Sequence, residues 1–169
     1  MSEDELDYLV EKYKVKVFNL HSNEDSIKRF RNSKYKDAIY AENMEEINDD
    51  FFRSLEIFSG ICLDISHWED FGLIQKEHSY EGFEKLLETN KVGCSHVSAI
   101  TKKIRVYKNY RTKKDMKQYS RHFLHDLSEL DYIKKIADYL PNLVSIELEN
   151  SFEEQVKVKK YLDAIINQS

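Results

Sequence analysis

The stretch Ile61-Cys62-Leu63-Asp64-Ile65-Ser66-His67 is an apolar run that ends in a carboxylate, with an imidazole three residues later. Gly60 opens it and Trp68-Glu69-Asp70 closes it. Its length and β-branched content suit a buried parallel strand. Asp64 then sits at the strand's carboxyl end and His67 in the loop after it. A buried carboxylate needs a partner, because bare charge is costly to desolvate. Taken alone, an Asp that caps the next turn and a His that packs would account for the stretch.

Four other segments share this form. They are Val15 to His21, Ala38 to Asn43, Val92 to His96 and Leu143 to Asn150. Each is an apolar run ending in a side chain able to bind a metal. Five such termini on successive strands point to a site built from strand ends, as in a parallel barrel.

The strands need elements between them. Residues 3 to 13 carry Leu6, Leu9, Val10 and Tyr13 on one helical face, with acidic residues in the first turn. Ser22 or Asn23 can cap a helix bearing Ile27 and Phe30. Helical spacing continues over Met44 to Phe58, Tyr80 to Thr89, Ser128 to Leu140 and Phe152 to Ile166, and Pro141 stops the third of these. Residues 68 to 79 read as irregular. The order is a helix followed by five strand-helix units. It predicts one α/β domain over residues 1–169, a partial barrel of about five parallel strands with right-handed crossovers.

Composition bounds the rest. The 169 residues are 41% hydrophobic and 34% charged, as expected of one soluble globular domain. One Pro and four Gly leave no room for a flexible linker. A net charge of −5 argues against a general nucleic-acid coat. Cys62 and Cys94, the two cysteines, fall inside strands and read as reduced core fillers. The acidic start is unlike a signal peptide, and no run of residues is apolar enough to span a membrane, so the expected location is cytoplasmic.

Side chains two apart on a strand share a face. Cys62 therefore goes with Asp64, Cys94 with His96, and Ser145 with Glu147. Inward carboxylates and imidazoles at the strand ends would converge. That oxygen-rich, nitrogen-containing set suits one Mn²⁺, Zn²⁺, Co²⁺ or Mg²⁺ ion. A cation also relieves the repulsion among crowded carboxylates.

These residues resemble motifs of the xylose isomerase-like TIM-barrel superfamily. It includes sugar phosphate isomerases/epimerases and endonuclease IV-type repair enzymes. The resemblance covers nearly the whole chain but only strands four to eight of the family's barrel. Tyr40-Ala41-Glu42-Asn43 resembles the fifth-strand Glu motif, and Cys62 to His67 the sixth-strand Asp-x-x-His motif. Ser95-His96-Val97-Ser98 resembles the seventh-strand His, Ser120-Arg121-His122 the His before the last unit, and Ile146-Glu147-Leu148 the eighth-strand Glu. His21 falls where endonuclease IV-type members carry a metal ligand.

The resemblance implies a metal held by Glu42, Asp64, His96 and Glu147. It implies proton transfer by Glu42 and Glu147, and a hydroxyl oriented by His67. Lys102 and His122 would meet the substrate, and Trp68 would wall the site or pack over the sheet edge. The implied activity is isomerisation or epimerisation of a sugar or sugar phosphate. The alternatives are incision at abasic DNA sites and a non-catalytic half-barrel subunit. The chain departs from the family at Ala99 and Ser120, where Asp is common, and at Leu124 to Ser128, where a Gly-rich segment is common. These losses weaken a three-metal nuclease site more than a one-metal site.

Residues 101–121 form a basic, tyrosine-bearing stretch read as a loop. It is either a solvated insertion or a surface for nucleic-acid phosphates. Five strands cannot close an eight-stranded barrel. Association with a second copy, or with a chain that supplies the missing strands, is therefore expected. His78 and His125 read as surface or packing residues.

Overall fold

The computed structural model describes residues 2–108, 113 and 115–166. Tyr110, Arg111 and Lys114 of the basic stretch lie outside the described residues.

Helix α1 (Glu3–Tyr13) begins at a capping box in which Ser2 and Glu5 bond each other's backbone N–H. Strand β1 (Phe18–His21) leads to α2 (Glu24–Phe30), capped by Asn23. Strand β2 (Ile39–Glu42) precedes α3 (Asp49–Ile57), and β3 (Ile61–Asp64) precedes a single turn, α4 (Ile65–His67). Helix α5 (Phe83–Thr89) and strand β4 (Val92–Val97) follow. Strands β5 (Ala99–Lys108) and β6 (Asp115–Arg121) come next, then β7 (Val144–Ile146) and α6 (Phe152–Ile166).

Strands β1, β2, β3, β4 and β7 form one sheet in that order, every pair parallel. The sheet curls through 185°, giving a TIM-barrel-like half-barrel with helices between the strands. This is the predicted α/β fold. Its outer face is apolar. Phe18, Leu20 and Ile39 pack with Leu6, Ile27 and Phe30, while Ala41, Ile61, Leu63 and Val97 pack with Phe51, Phe83, Ile133 and Leu162. Burying these faces supplies the driving force, at about 25 cal/mol per Å².

Four local expectations need correction. The Met44–Phe58 helix starts only at Asp49, because Asn48 caps it by accepting from the Phe51 N–H at 3.1 Å. The 128–140 segment is not an α-helix but two 3₁₀ runs, Leu127–Lys135 and Ala137–Tyr139. Its buried residues Leu130, Ile133 and Ile136 recur every third position, which suits three residues per turn. Residues 68 to 74 form a π-helical turn rather than irregular chain. The basic stretch is not a loop but an antiparallel hairpin of β5 and β6. Val106, Tyr107 and Tyr119 are strand formers, and the ladder satisfies their backbone groups. Among the described residues no helix is long and apolar enough to cross a membrane.

Candidate metal centre at the strand ends

A β-bulge sets the site's register. Ile61 pairs with Val92, but Cys62 pairs with Cys94, so Gly93 is the extra residue. Were Gly93 paired in a regular ladder, Asp64 would face Ser95, and His96 would turn to the outer face. With the bulge Asp64 faces His96. Gly93 is required there, because a Cβ would lie 2.1 Å from the Tyr40 ring. Gly60 starts β3 at φ +146°, where a Cβ would strike the Lys91 carbonyl.

Glu42 ends β2 and is 2% exposed. Asn19 donates to its Oε2 at 2.6 Å, His21 Nε2 lies 3.6 Å from its Oε1, and His96 Nδ1 lies 3.7 Å from its Oε2. Burial alone would push this carboxyl up, but His21, His96 and Asn19 together hold it well below the usual range. The same contacts push His21 up, chiefly through Glu42. Burial works against charge on His96, yet Glu42, with Glu147 and Asp64, carries it to about 9.

Asp64 ends β3 and is 1% exposed. Its Oδ1 accepts from Ser66 N at 2.9 Å, Ser66 Oγ at 2.5 Å and His67 N at 3.0 Å. It thereby caps the following turn, as the plainer reading expected. Its Oδ2 has no hydrogen-bond donor and lies 3.2 Å from His67 Nδ1. That nitrogen is also 3.1 Å from the Asn43 carbonyl. Burial lowers the His67 pKa and the Asp64 charge raises it, with a net upward shift.

Glu147 follows β7 and continues its ladder, its N–H donating to Val97 O at 2.9 Å. It is less buried than the other two carboxylates, at 40% side-chain exposure. Its Oε2 lies 3.6 Å from His96 Nδ1 and 3.8 Å from His122 Nε2. His122 is held above β7 because Glu149 N donates to its carbonyl and Asn150 bonds both backbone groups of Leu124.

Ligand atoms of Asp64, His96 and Glu147 lie within 4.8 Å of one another, as do those of Glu42, Asp64 and His67. Donors around an ion at about 2.1 Å are ~3.0 Å apart when adjacent and ~4.2 Å when opposite. The 3.6–3.7 Å separations around His96 fall within that range. Glu42 and Glu147 share no such group, although each pairs with His96 and Asp64. Buried polar atoms are nearly always satisfied. Asp64 Oδ2 and His96 Nδ1 are buried and have no hydrogen bond. The donor set and these two atoms fit a divalent cation.

The other anticipated residues lie elsewhere. Trp68 is 2% exposed and packs on Phe83 and Tyr139 in the core. Lys102 is exposed on β5 and borders a separate cavity of about 410 Å³ with Thr101, Tyr119, Ser128 and Glu129. No carboxylate of the cluster lines that cavity. A groove of about 380 Å³ on the inner face is bordered by Val17, Asn19, Cys94, His96 and Ser145.

Two positioning residues escaped the sequence reading. Asn19 is two residues from His21, so the same-face rule already pointed to it. Asn43 is fully buried, accepts from Asp64 N at 2.8 Å and donates to Asp64 O at 2.9 Å. It stitches the ends of β2 and β3 together. No local signal marks that role. No protein-family model matches this chain, and comparison with curated proteins and with solved structures gives no significant match.

Proposed function

We propose that this half-barrel belongs to the xylose isomerase-like superfamily and acts on a sugar or sugar phosphate as a divalent-metal-dependent isomerase or epimerase. The observation that carries the reading is Asp64. It is a fully buried carboxylate with one oxygen engaged in capping and the other without a hydrogen bond, 3.2 Å from the His67 imidazole, in a cluster with His96 and Glu147. Glu42, Asp64, His96 and Glu147 would hold the ion. A bound ion would supply charge stabilisation to adjacent carbonyl and hydroxyl oxygens.

The residues divide the remaining work. Glu147, the most accessible carboxylate, takes the proton from the carbon next to the carbonyl. Glu42, held ionised against its burial, faces it across His96 and serves the neighbouring carbon. His67 keeps Nδ1 engaged with Asn43 and Asp64, which leaves Nε2 for a substrate hydroxyl. The inner groove is open, and the backbone edges of β1 and β7 have no neighbour strand among the described residues. A second copy or another chain would wall the substrate there.

The test is two measurements on metal-stripped protein. Mn²⁺ titration should show binding that the double change Asp64→Asn/His96→Gln abolishes. With Mn²⁺ present, aldoses, ketoses and their phosphates in deuterated water should exchange the proton beside the carbonyl. Binding without exchange on any sugar would leave a metal-binding subunit, and no binding would end the reading. Light scattering at micromolar concentration tests the association.

A second reading rests on His21 and His122. Each lies against a carboxylate of the cluster, at 3.6 and 3.8 Å. Two further imidazoles at the same end suit a multi-metal site for phosphodiester chemistry. The basic hairpin, with Lys102, Lys103, Arg105 and Lys117, would meet the phosphates. Incision of abasic DNA together with more than one bound metal per chain would favour it over isomerisation.

A further inference from the structure

Cys62 and Cys94 play no part in the carboxylate chemistry. Yet the bulge that brings Asp64 opposite His96 also brings these cysteines opposite each other, one step deeper along β3 and β4. Cys62 is buried, and Cys94 is half-buried and borders the inner groove, so the pair can be reached from the open side. Ligand atoms of Cys62, His96 and Glu42 lie within 4.8 Å of one another. His96 Nδ1 in this cluster is buried without a hydrogen bond.

We infer that Cys62, His96 and Glu42 form a second, sulfur-bearing cation site beneath the carboxylate site, selective for thiophilic divalent ions of the Zn²⁺ and Cd²⁺ type. One sulfur, one nitrogen and one oxygen make three of the four donors that Zn²⁺ takes in tetrahedral sites, with Zn–S about 2.3 Å and the fourth position left to water. Thiolate donors discriminate against Mg²⁺ and Mn²⁺, which prefer the oxygen set above. The Cys62 thiol loses its proton to solvent as the metal–sulfur bond forms. His96 and Glu42 belong to both sets, so the two sites compete for them. That competition, though not the sulfur site itself, rests on the metal-binding reading above. A thiophilic ion held by Cys62 would withdraw two of the four ligands from the outer ion and act as an inhibitor.

Cd²⁺ is the probe. The chain has two cysteines, so any thiolate-to-cadmium charge-transfer band arises from this pair. Metal-stripped, reduced protein should develop the band and saturate it at one equivalent. Cys62→Ser should abolish the band, Cys94→Ser should keep it, and His96→Gln should weaken Cd²⁺ binding at least about tenfold. Asp64→Asn, which breaks the outer set alone, should keep the band. Circular dichroism confirms that each variant is folded. A folded wild-type protein without the band would overturn the inference. So would Cd²⁺ affinity indifferent to His96→Gln, since the thiols would then be acting alone. If Mn²⁺ fails to bind while the cadmium band appears, the outer site falls and the inner one stands. If both bind, Cd²⁺ should displace Mn²⁺, and simultaneous full occupancy would refute the shared ligands.

Discussion

Two regions of the molecule each bury an aspartate, six residues apart, and use it in opposite ways. At the root of the hairpin, Asp70 is fully buried and both oxygens are engaged. Its Oδ1 accepts from Gln75 Nε2 at 2.7 Å, and its Oδ2 accepts from the backbone N–H groups of Tyr119 and Ser120, each at 2.8 Å. It ties β6 to the π-helical turn. At the end of β3, Asp64 is equally buried, but its hydrogen bonds all fall on Oδ1, in capping α4, and Oδ2 has only the His67 imidazole at 3.2 Å. Burial is the same and each accepts three hydrogen bonds, but Asp70 spreads them over both oxygens and Asp64 takes all three on Oδ1. A buried carboxylate whose hydrogen bonds are complete is a structural fastener. One with an oxygen left over, among imidazoles and other carboxylates, is poised for a ligand.

The sharpest way to break the comparison is to remove each carboxylate in turn. Asp70→Ala strands two buried N–H groups and should cost about 3 kcal/mol or more in urea unfolding. Asp64→Asn keeps an oxygen for the cap and should cost under about 1 kcal/mol. Equal losses from the two changes would erase the distinction drawn here.

The next effect is the response to metal. At a hundredfold excess over Kd, Mn²⁺ should stabilise the wild-type protein by about 2.7 kcal/mol. The rise should vanish in Asp64→Asn/His96→Gln and survive any mild change at the hairpin root. Thermal melts with and without the ion read it directly.

The chelated protein adds a pH signature at the strand ends. His96 moves from 6.5 to about 9 on folding. A raised histidine stabilises the folded state fully below the unfolded value, and that stabilisation is lost as pH rises through the folded value. Stability should therefore fall between about pH 6.5 and 9, by at most about 3 kcal/mol. His96→Gln should flatten that slope, as seen in urea midpoints across the range.

The smallest expected effect belongs to Asn19, whose amide holds Glu42 at 2.6 Å. Asn19→Ala should cost about 1 kcal/mol. It should also weaken Mn²⁺ binding roughly tenfold, since oriented ligands bind better than free ones. A change in stability with no change in metal affinity would make Asn19 a fastener of the Asp70 kind.

The order of the five parallel strands is legible in the amino-acid sequence, because each is a short apolar run set off from the next by a longer segment with a period other than two. It also put Glu42, Asp64, His96 and Glu147 at strand ends, because side-chain alternation and strand direction are local properties. The tertiary structure decided the rest. That both oxygens of Asp70 are hydrogen-bonded depends on Tyr119 and Ser120, about 50 residues away along the chain. That Cys62 meets Cys94 depends on one extra residue, Gly93, admitted by the ring of Tyr40 from the next strand. Asn43 binds its neighbour strand with no local pattern to announce it. Whether a lone pair is satisfied, and which residue faces which across a ladder, is settled by groups distant in sequence. No reading of spacing along one segment contains that information.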